Sequence, residues 1–198
     1  MTSISGKKIN ILTPDSEVFN IEDMAHSFSR QSRFVGHINR ECYSIAQHSV
    51  NVSRLCNSQL GKKAGLIHEA EESVLGDIAT PVKYLGELNA MRLVGRNIQN
   101  LVYMKFLGIN KLPAEVKEMD KIAFYVEAKH LHPHLYKDLC NNFTPVYYDE
   151  IEHKSYGGFC TLEDIVNHYE SKLIMDELYP NQAKKLFLDE YNSLFNEA

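Results

Sequence analysis

The sequence predicts an all-α protein with a single domain, and three observations support this prediction. The chain has 198 residues, which is long enough for one compact domain with a buried core. Apolar residues recur at helical spacing along most of the chain. No segment repeats at a fixed period, and no low-complexity linker separates two halves. We therefore expect residues 1–198 to form one helical bundle.

The first half of the chain predicts three helices. The first follows Asn20, a residue type that caps helix N-termini, and carries apolar residues at helical spacing through Phe28. Residues 32–41 contain a glycine and have no helical period, so they are predicted to form a loop. A second helix is predicted from about Ser44 to Cys56, and a third from about Lys62 to Gly76.

The next two helices have clearer boundary signals. A helical pattern runs from about Leu88 to Leu107 and is followed by Gly108, which favours a helix end. Pro113 occupies a position typical of the first turn of a helix, and that helix is predicted to continue through Leu131.

The last third of the chain predicts an irregular segment followed by two helices. Residues 132–160 carry two prolines and a Gly-Gly pair, so they are predicted to form an ordered loop or short hairpin that could act as a lid. Thr161, with Asp164 three residues later, predicts the start of a helix that continues to about residue 178. Asn181 is the expected cap of the final helix.

Composition and charge argue against a nucleic-acid-binding protein, a membrane protein and a zinc finger. The chain carries 21 basic and 26 acidic residues, a net charge of −5, which argues against a nucleic-acid partner. No apolar run approaches the roughly 20 residues of a membrane helix, and the N-terminus has no hydrophobic signal core. The cysteines fit no zinc-finger spacing and are expected to be reduced thiols: Cys42, Cys56, Cys140 and Cys160. We expect a soluble cytoplasmic protein without a membrane partner.

Several ionisable residues interrupt the apolar faces of the predicted helices. His48 shares a face with Ile45 in the second helix, and His68 and Glu72 are four residues apart in the third. Asp120 interrupts an apolar face of a later helix. Taken alone, each has a structural explanation, such as a hydrogen-bonded core histidine or a solvated carboxylate. Two imidazoles and two carboxylates that converge from several helices would suit a divalent metal.

The pattern resembles a known superfamily. The run His68-Glu69-Ala70-Glu71-Glu72, with a histidine upstream and an aspartate downstream, is similar to the HD-domain metal-dependent phosphohydrolases. More narrowly, four colinear segments resemble a family of bacterial 5′-deoxynucleotidases and phage dATP triphosphohydrolases: residues 9–55, 66–83, 117–131 and 179–194. The resemblance implies an HD-type helical bundle with a metal site between its helices, in the cytosol of a bacterium or of a phage-infected host.

The resemblance also implies a set of metal ligands. His48 and His68 match the metal histidines of the family, and Asp120 matches its distal aspartate. Glu69 stands where the family has aspartate, and its side chain is one methylene longer. The implied cofactor is Zn²⁺, Mn²⁺ or Co²⁺, and a second ion, Mg²⁺, could accompany it. The longer Glu69 leaves open whether the site is catalytically competent.

Two further acids match catalytic positions of the family. Glu72 is the implied proton-transfer group, and its structural alternative is an exposed helix carboxylate. Asp77 resembles the second acid, which contacts a sugar hydroxyl or a second metal ion. Its structural alternative is a turn residue at a helix end.

The resemblance assigns six residues to the substrate: Arg33, Phe34, His37, Pro81, Lys83 and Lys117. The three cations would contact phosphates, the phenylalanine would stack on the base, and the proline would line the base pocket. The histidine is placed near the phosphates, although it could equally be an ordinary loop residue.

The implied activity is hydrolysis of a deoxynucleoside 5′-phosphate. Three cations exceed what one phosphate requires, which favours a dATP-type triphosphohydrolase that releases deoxynucleoside and triphosphate. A 5′-deoxynucleotidase acting on deoxynucleoside monophosphates is the close alternative. A nucleotide-binding protein without turnover, on a degenerate HD scaffold, is the alternative from another class. The apolar faces of the last two helices could form a homo-oligomer contact.

Overall fold

The protein is all-α, as the sequence predicts. The computed structural model describes residues 1–143 and 161–196, and within these ranges it contains ten α-helices and no β-sheet. The helices are α1 (Ile21–Phe28), α2 (Ile45–Leu55), α3 (Gln59–Leu66), α4 (Glu72–Leu75), α5 (Thr80–Lys83), α6 (Asn89–Leu107), α7 (Ala114–Leu131), α8 (Pro133–Asn142), α9 (Leu162–Tyr169) and α10 (Pro180–Phe195). No helix in the described ranges is long and apolar enough to cross a membrane.

Helix α2 is the centre of the bundle. Every residue of α2 except Arg54 is buried, and the helix packs against α3, α7 and α10. Its two ends belong to two apolar clusters. Ile45 packs in the cluster that contains Phe28 and Phe187, whereas Val52 packs in the cluster that contains Ile122. Because α2 is buried on nearly all sides, an unpaired polar group on it is costly. The side chains of His48 and Asn51 have partners inside the protein, whereas Ser49 Oγ has none among the described residues.

Several predicted helix boundaries are confirmed by their caps. The Asn20 side chain accepts a hydrogen bond from the Asp23 amide at the start of α1. Thr161 and Asp164 form a capping box at the start of α9. Helix α6 ends at Gly108, whose φ of 66° lies in the left-handed region that glycine adopts without strain.

The third helix is predicted to run without a break from about Lys62 to Gly76, and this prediction is wrong. Residues 67–71 form a turn that separates α3 from α4, and Ile67 leaves helical geometry with φ −117° and ψ 19°. The His68 side chain explains the break, because its Nδ1 lies 2.7 Å from the Gly65 carbonyl oxygen. In a continuous helix that carbonyl would accept from the Glu69 amide, four residues on.

The predicted irregular segment at 132–160 is wrong in its first part. Residues Pro133–Asn142 form α8, because Pro133 fits the first turn of a helix and the His132 side chain accepts from the Leu135 amide. Pro133 therefore starts a helix instead of belonging to an irregular segment. The rest of the segment that is predicted to form a loop or lid, residues 144–160, lies outside the described residues.

Two expected boundaries near the C-terminus also differ. Helix α9 ends at Tyr169 instead of continuing to about residue 178, and a single 3₁₀ turn follows it. Asn181 lies inside α10 and does not cap it. The N-cap is Tyr179, whose amide donates to the Gln182 side chain, and Pro180 is the first helical residue.

The close approach of α2 and α3 depends on Gly65. A Cβ at Gly65 would lie 3.1–3.3 Å from backbone atoms of Val52 and Ser53, which cannot move as a flexible side chain can. We expect Gly65→Ala to lower the free energy of unfolding by about 1–2 kcal/mol, because the clash outweighs the higher helix propensity of alanine. Urea denaturation measures the difference. Gly86→Ala is the control, since its Cβ would meet nothing within 4 Å. Equal stabilities of the two variants would contradict this packing.

Candidate metal centre

Four of the predicted site residues converge on one point. The Nε2 atoms of His48 and His68 lie 3.2 Å apart, and Asp120 Oδ1 lies 3.1 Å from the first and 3.6 Å from the second. Glu69 Oε1 lies 3.8 Å from His48 Nε2 and 3.5 Å from His68 Nε2. One ligand atom from each of the four residues lies within 4.8 Å of the others, so the group could hold a metal ion.

Three segments of the chain supply these side chains. His48 is on the buried helix α2, and Asp120 faces it from α7. His68 and Glu69 lie in the turn after α3, where the break in the helix lets adjacent residues turn their side chains toward the same point. In a continuous helix, neighbouring side chains would diverge by about 100°.

The hydrogen bonds of the two histidines fix their tautomers. His48 Nδ1 lies 2.7 Å from Glu127 Oε1, and His68 Nδ1 lies 2.7 Å from the Gly65 carbonyl oxygen. A backbone carbonyl only accepts, and an ionised carboxylate does the same, so both Nδ1 atoms carry hydrogen. In the neutral rings, both Nε2 lone pairs therefore point at each other and at two carboxylate oxygens.

The two nitrogen lone pairs and the two carboxylate oxygens repel one another unless a cation lies between them. Imidazole nitrogens backed by a carboxylate or a carbonyl, with carboxylate oxygens beside them, are the arrangement that divalent metals select. The charges agree with this interpretation. Glu69, Asp120 and Glu127 with Arg33 leave two negative charges when the histidines are neutral, and a divalent cation would neutralise them. The residues fit a divalent metal.

Glu127 is a member of the centre that the sequence analysis missed. It is fully buried on α7, where it accepts from Tyr43 Oη at 2.9 Å and pairs with Arg33 Nε at 3.4 Å, besides holding His48. The sequence signal that could have indicated Glu127 is its spacing from Asp120, because residues seven apart lie on one face of a helix. That signal is weak, since α7 carries several other charged residues.

Electrostatics in the centre favour a bound proton when no metal is present. Burial and the Arg33 charge lower the pKa of His48, but Glu127 and Asp120 oppose them and raise it to about 9. Burial alone would raise the pKa of Asp120, but hydrogen bonds to His48 and His68 hold it well below its usual value. Without a metal ion, a proton shared between the imidazoles and Asp120 therefore neutralises part of the negative charge that a divalent cation would neutralise.

Arg33 is placed beside the cluster. Its Nη1 lies 3.7 Å from Glu69 Oε1, and its Nε faces Glu127, so the guanidinium bridges two carboxylates of the centre. Phe34, the next residue, stacks on Phe124 at 5.8 Å and has φ 56°. Val35 also has a left-handed φ, of 54°, which is costly for a β-branched residue.

Glu72 and Lys83 form a pair next to the cluster. The Glu72 carboxyl is almost completely buried, and its Oε1 lies 2.6 Å from Lys83 Nζ. Burial and the nearby Glu69 raise the pKa of Glu72 to about 8, although Lys83 opposes the shift. We favour a neutral Glu72 beside a charged lysine, since burial and the charge of Glu69 both disfavour the carboxylate.

The proton of a neutral Glu72 has a defined position. Oε1 accepts from Lys83, and Oε2 is buried without a hydrogen-bond partner among the described residues. In the protonated form of Glu72, Oε2 is therefore the oxygen that carries the acidic hydrogen.

Gln31 holds both predicted catalytic acids and was not found from the sequence. Its Nε2 donates to the Glu72 carbonyl at 2.9 Å, and its Oε1 accepts from the Asp77 amide at 2.9 Å. This one side chain clamps the two ends of α4. Asp77 is half-buried after Gly76, and its charge contributes to the raised pKa of Glu72.

Three predicted substrate residues make no described contact with this centre. His37, Pro81 and Lys117 are exposed, and within the described part of the chain no hydrogen bond or ion pair joins their side chains to the four-residue cluster. Lys117 lies on α7 one turn before Asp120. The cysteines within the described ranges are free thiols, as expected, whereas Cys160 lies outside them.

Comparisons with known proteins place the chain in a family. It is 34% identical over 133 residues to an uncharacterized protein of Rhodobacter capsulatus, which corresponds to 64% of this chain and 67% of that protein. The chain belongs to the same family as that protein. No protein family model matches the chain. Since the relative's name states no activity, the function must be argued from the site.

The raised pKa of His48 predicts that metal and proton compete. A ligating histidine must be neutral, so binding of Zn²⁺ or Mn²⁺ near pH 7 should release about one proton. The apparent affinity should rise about tenfold per pH unit for each displaced proton and level off above about pH 9. Calorimetry in buffers of different ionisation enthalpy measures both quantities. An affinity independent of pH between 6 and 9 would contradict this arrangement.

Glu127→Gln provides the matched variant for that experiment. Loss of the carboxylate should weaken metal binding about 10–100-fold at pH 9 and move the midpoint of the pH dependence to lower pH. Glu163→Gln on the exposed surface of α9 is the control and should change neither value.

Proposed function

We propose that this chain is a metal-dependent phosphohydrolase of the HD type that cleaves deoxynucleoside 5′-phosphates. The observation that carries the proposal is the convergence of two imidazole nitrogens, each held through its Nδ1, with two carboxylate oxygens, beside the buried acid Glu72. The likeness of four colinear segments to deoxynucleotide hydrolases supports the substrate class. We also propose that the protein acts in the cytosol and assembles as a homo-oligomer.

The proposed ligands are His48, His68, Glu69 and Asp120. Zn²⁺, Mn²⁺ and Co²⁺ all accept this mixture of imidazole and carboxylate. When bound, such a cation supplies Lewis acidity that brings the pKa of a coordinated water near neutrality. Asp77 is proposed to contact the sugar hydroxyl or to help hold a second ion, Mg²⁺.

The chain's own residues would bind the phosphate and move the proton. Arg33 lies next to Glu69 and would donate to a phosphate oxygen. In the reaction, a water oxygen forms a bond to phosphorus and the bond from phosphorus to O5′ breaks. Glu72 would give the proton on Oε2 to the departing O5′, and the proton lost by the water would restore it. Lys83 would hold the other Glu72 oxygen throughout.

The number of phosphates is the open part of the substrate assignment. We propose a triphosphohydrolase that acts at the α-phosphorus of dATP and releases deoxyadenosine and triphosphate. A 5′-deoxynucleotidase that releases orthophosphate from dAMP uses the same chemistry. Arg33 and Lys83 both pair with carboxylates, so their charges alone do not favour the triphosphate.

A second candidate is a nucleotide-binding protein without turnover. Glu69 favours it, because its carboxylate is on a longer side chain than the family's aspartate and lies 3.7 Å from Arg33. An acid held by an arginine is less free to bind a metal. Glu69→Asp separates the candidates, since activity gained only in this variant would support the binding protein.

The assay uses the purified protein with Mn²⁺, Co²⁺ or Zn²⁺ and with dATP or dAMP, and anion-exchange chromatography identifies the products. We expect deoxyadenosine and triphosphate from dATP. Glu72→Gln should lower kcat about 10²–10⁴-fold without changing the metal content, because it removes a general acid and no ligand. Glu163→Gln should match the wild type. Absence of turnover with every metal, alongside nucleotide binding, would contradict the enzyme assignment.

A further inference from the structure

A cavity with several charged residues in its lining adjoins the proposed catalytic acid. It lies between α4, α5 and α6 and has a volume of about 450 Å³, which is within the range typical of small-molecule sites. Its charged lining consists of Glu71, Glu72, Lys83, Arg92 and Arg96. Because Glu72 and Lys83 belong both to this cavity and to the catalytic pair, the cavity and the metal centre are neighbours.

Helix α6 contributes two arginines to the cavity. Arg92 and Arg96 are four residues apart, so their side chains lie on one face of the helix. Gly95, between them, lets α6 approach α4, since a Cβ there would meet the Glu71 side chain at 3.4 Å. The arginines thus lie directly across the cavity from the acids.

The charges of the two arginines are not neutralised within the protein. The Arg92 guanidinium lies over the Tyr84 ring at 5.2 Å and donates to the Asn89 side chain, while Arg96 Nε donates to the Arg92 carbonyl. Neither arginine forms an ion pair among residues 1–143 and 161–196. By contrast, Lys83 is held by Glu72. Two uncompensated guanidiniums in one cavity attract an anion.

Unpartnered buried atoms in the same cavity are an independent sign of a ligand. Seven buried side-chain atoms in the described ranges have no hydrogen-bond partner, and three of them belong to residues that line this cavity: Arg92 Nε, Glu71 Oε2 and Glu72 Oε2. A buried polar atom without a partner costs about 1–3 kcal/mol, so such atoms mark places where a ligand or water binds. A ligand that satisfies these atoms accepts a hydrogen bond from Arg92 Nε and brings a hydroxyl group or a bound water to Glu71 and Glu72.

We propose that Arg92 and Arg96 bind the outer phosphates of a nucleoside polyphosphate, while its reacting phosphate lies at the metal centre. Guanidinium groups bind phosphate oxygens in pairs, and two of them match a chain of two or more phosphates better than a single one. A monophosphate would occupy the centre and leave the arginines empty. This inference rests on the proposed function, and it makes the two arginines the residues that select triphosphates over monophosphates.

The first test measures binding without turnover. Calorimetry with inorganic tripolyphosphate and with orthophosphate, in metal-depleted buffer, compares the wild type with the Arg92→Gln/Arg96→Gln double variant. We expect the wild type to bind tripolyphosphate at least tenfold more tightly than orthophosphate, and the double variant to lose about 10–100-fold for tripolyphosphate only. Lys111→Gln, an exposed cation far along the chain from the cavity, is the control for general charge loss.

The second test uses kinetics. If the inference is right, the double variant has a reduced kcat/KM for dATP and an unchanged one for dAMP. Arg96→Gln alone provides a variant whose fold is secure, because Arg96 is exposed, and it should show a smaller effect in the same direction. Equal losses for both substrates, or no loss for either, would overturn the inference.

The two proposals can fail separately. If the wild type hydrolyses nothing while tripolyphosphate binding still depends on the arginines, the anion site stands and the proposed function falls. If the wild type hydrolyses dATP and the double variant binds tripolyphosphate as tightly as the wild type, the proposed function stands and the anion site is wrong.

Discussion

The structure of the centre depends on two hydrogen bonds that the histidines make with their Nδ1 atoms. One goes to the Glu127 carboxylate and the other to the Gly65 carbonyl, at 2.7 Å each. They fix both rings so that the Nε2 lone pairs meet 3.2 Å apart. The bond to Gly65 also occupies a carbonyl that a continuous helix would need, and it therefore produces the turn that brings Glu69 beside His68. One interaction thus shapes both the backbone and the ligand set.

The surrounding charges follow from burying this centre. Glu127 and Asp120 make it negative, and Arg33 compensates only part of that charge, so a cation or a proton must supply the rest. Burial and the charge of Glu69 raise the pKa of the buried acid Glu72, three residues after Glu69, to about 8. Its neighbours across the cavity are cationic. The proposed metal centre, the buried acid Glu72 and the two arginines Arg92 and Arg96 thus follow one another, an arrangement that suits a phosphorylated ligand.

The sequence could predict those parts of the site that local patterns report. Helical period singled out His48, His68 and Asp120, and the family likeness added Glu69 as a ligand; the structure brings all four together. Glu127 escaped prediction because its partner lies 79 residues away on another helix, and a single sequence does not reveal such pairs. The turn after α3 and the start of α8 escaped because histidine side chains bond to backbone groups there, which helix propensity does not describe.

We propose that the side chains of His48, His68, Glu69 and Asp120 surround a single divalent cation. Crystals grown with Zn²⁺ and measured at the zinc absorption edge test this directly, since anomalous scattering locates the ion without reference to the protein map. The account predicts one strong peak between the Nε2 atoms of His48 and His68, about 2.0–2.2 Å from them and from the carboxylate oxygens that bind it. A fully loaded crystal whose only peaks lie elsewhere on the surface would contradict it.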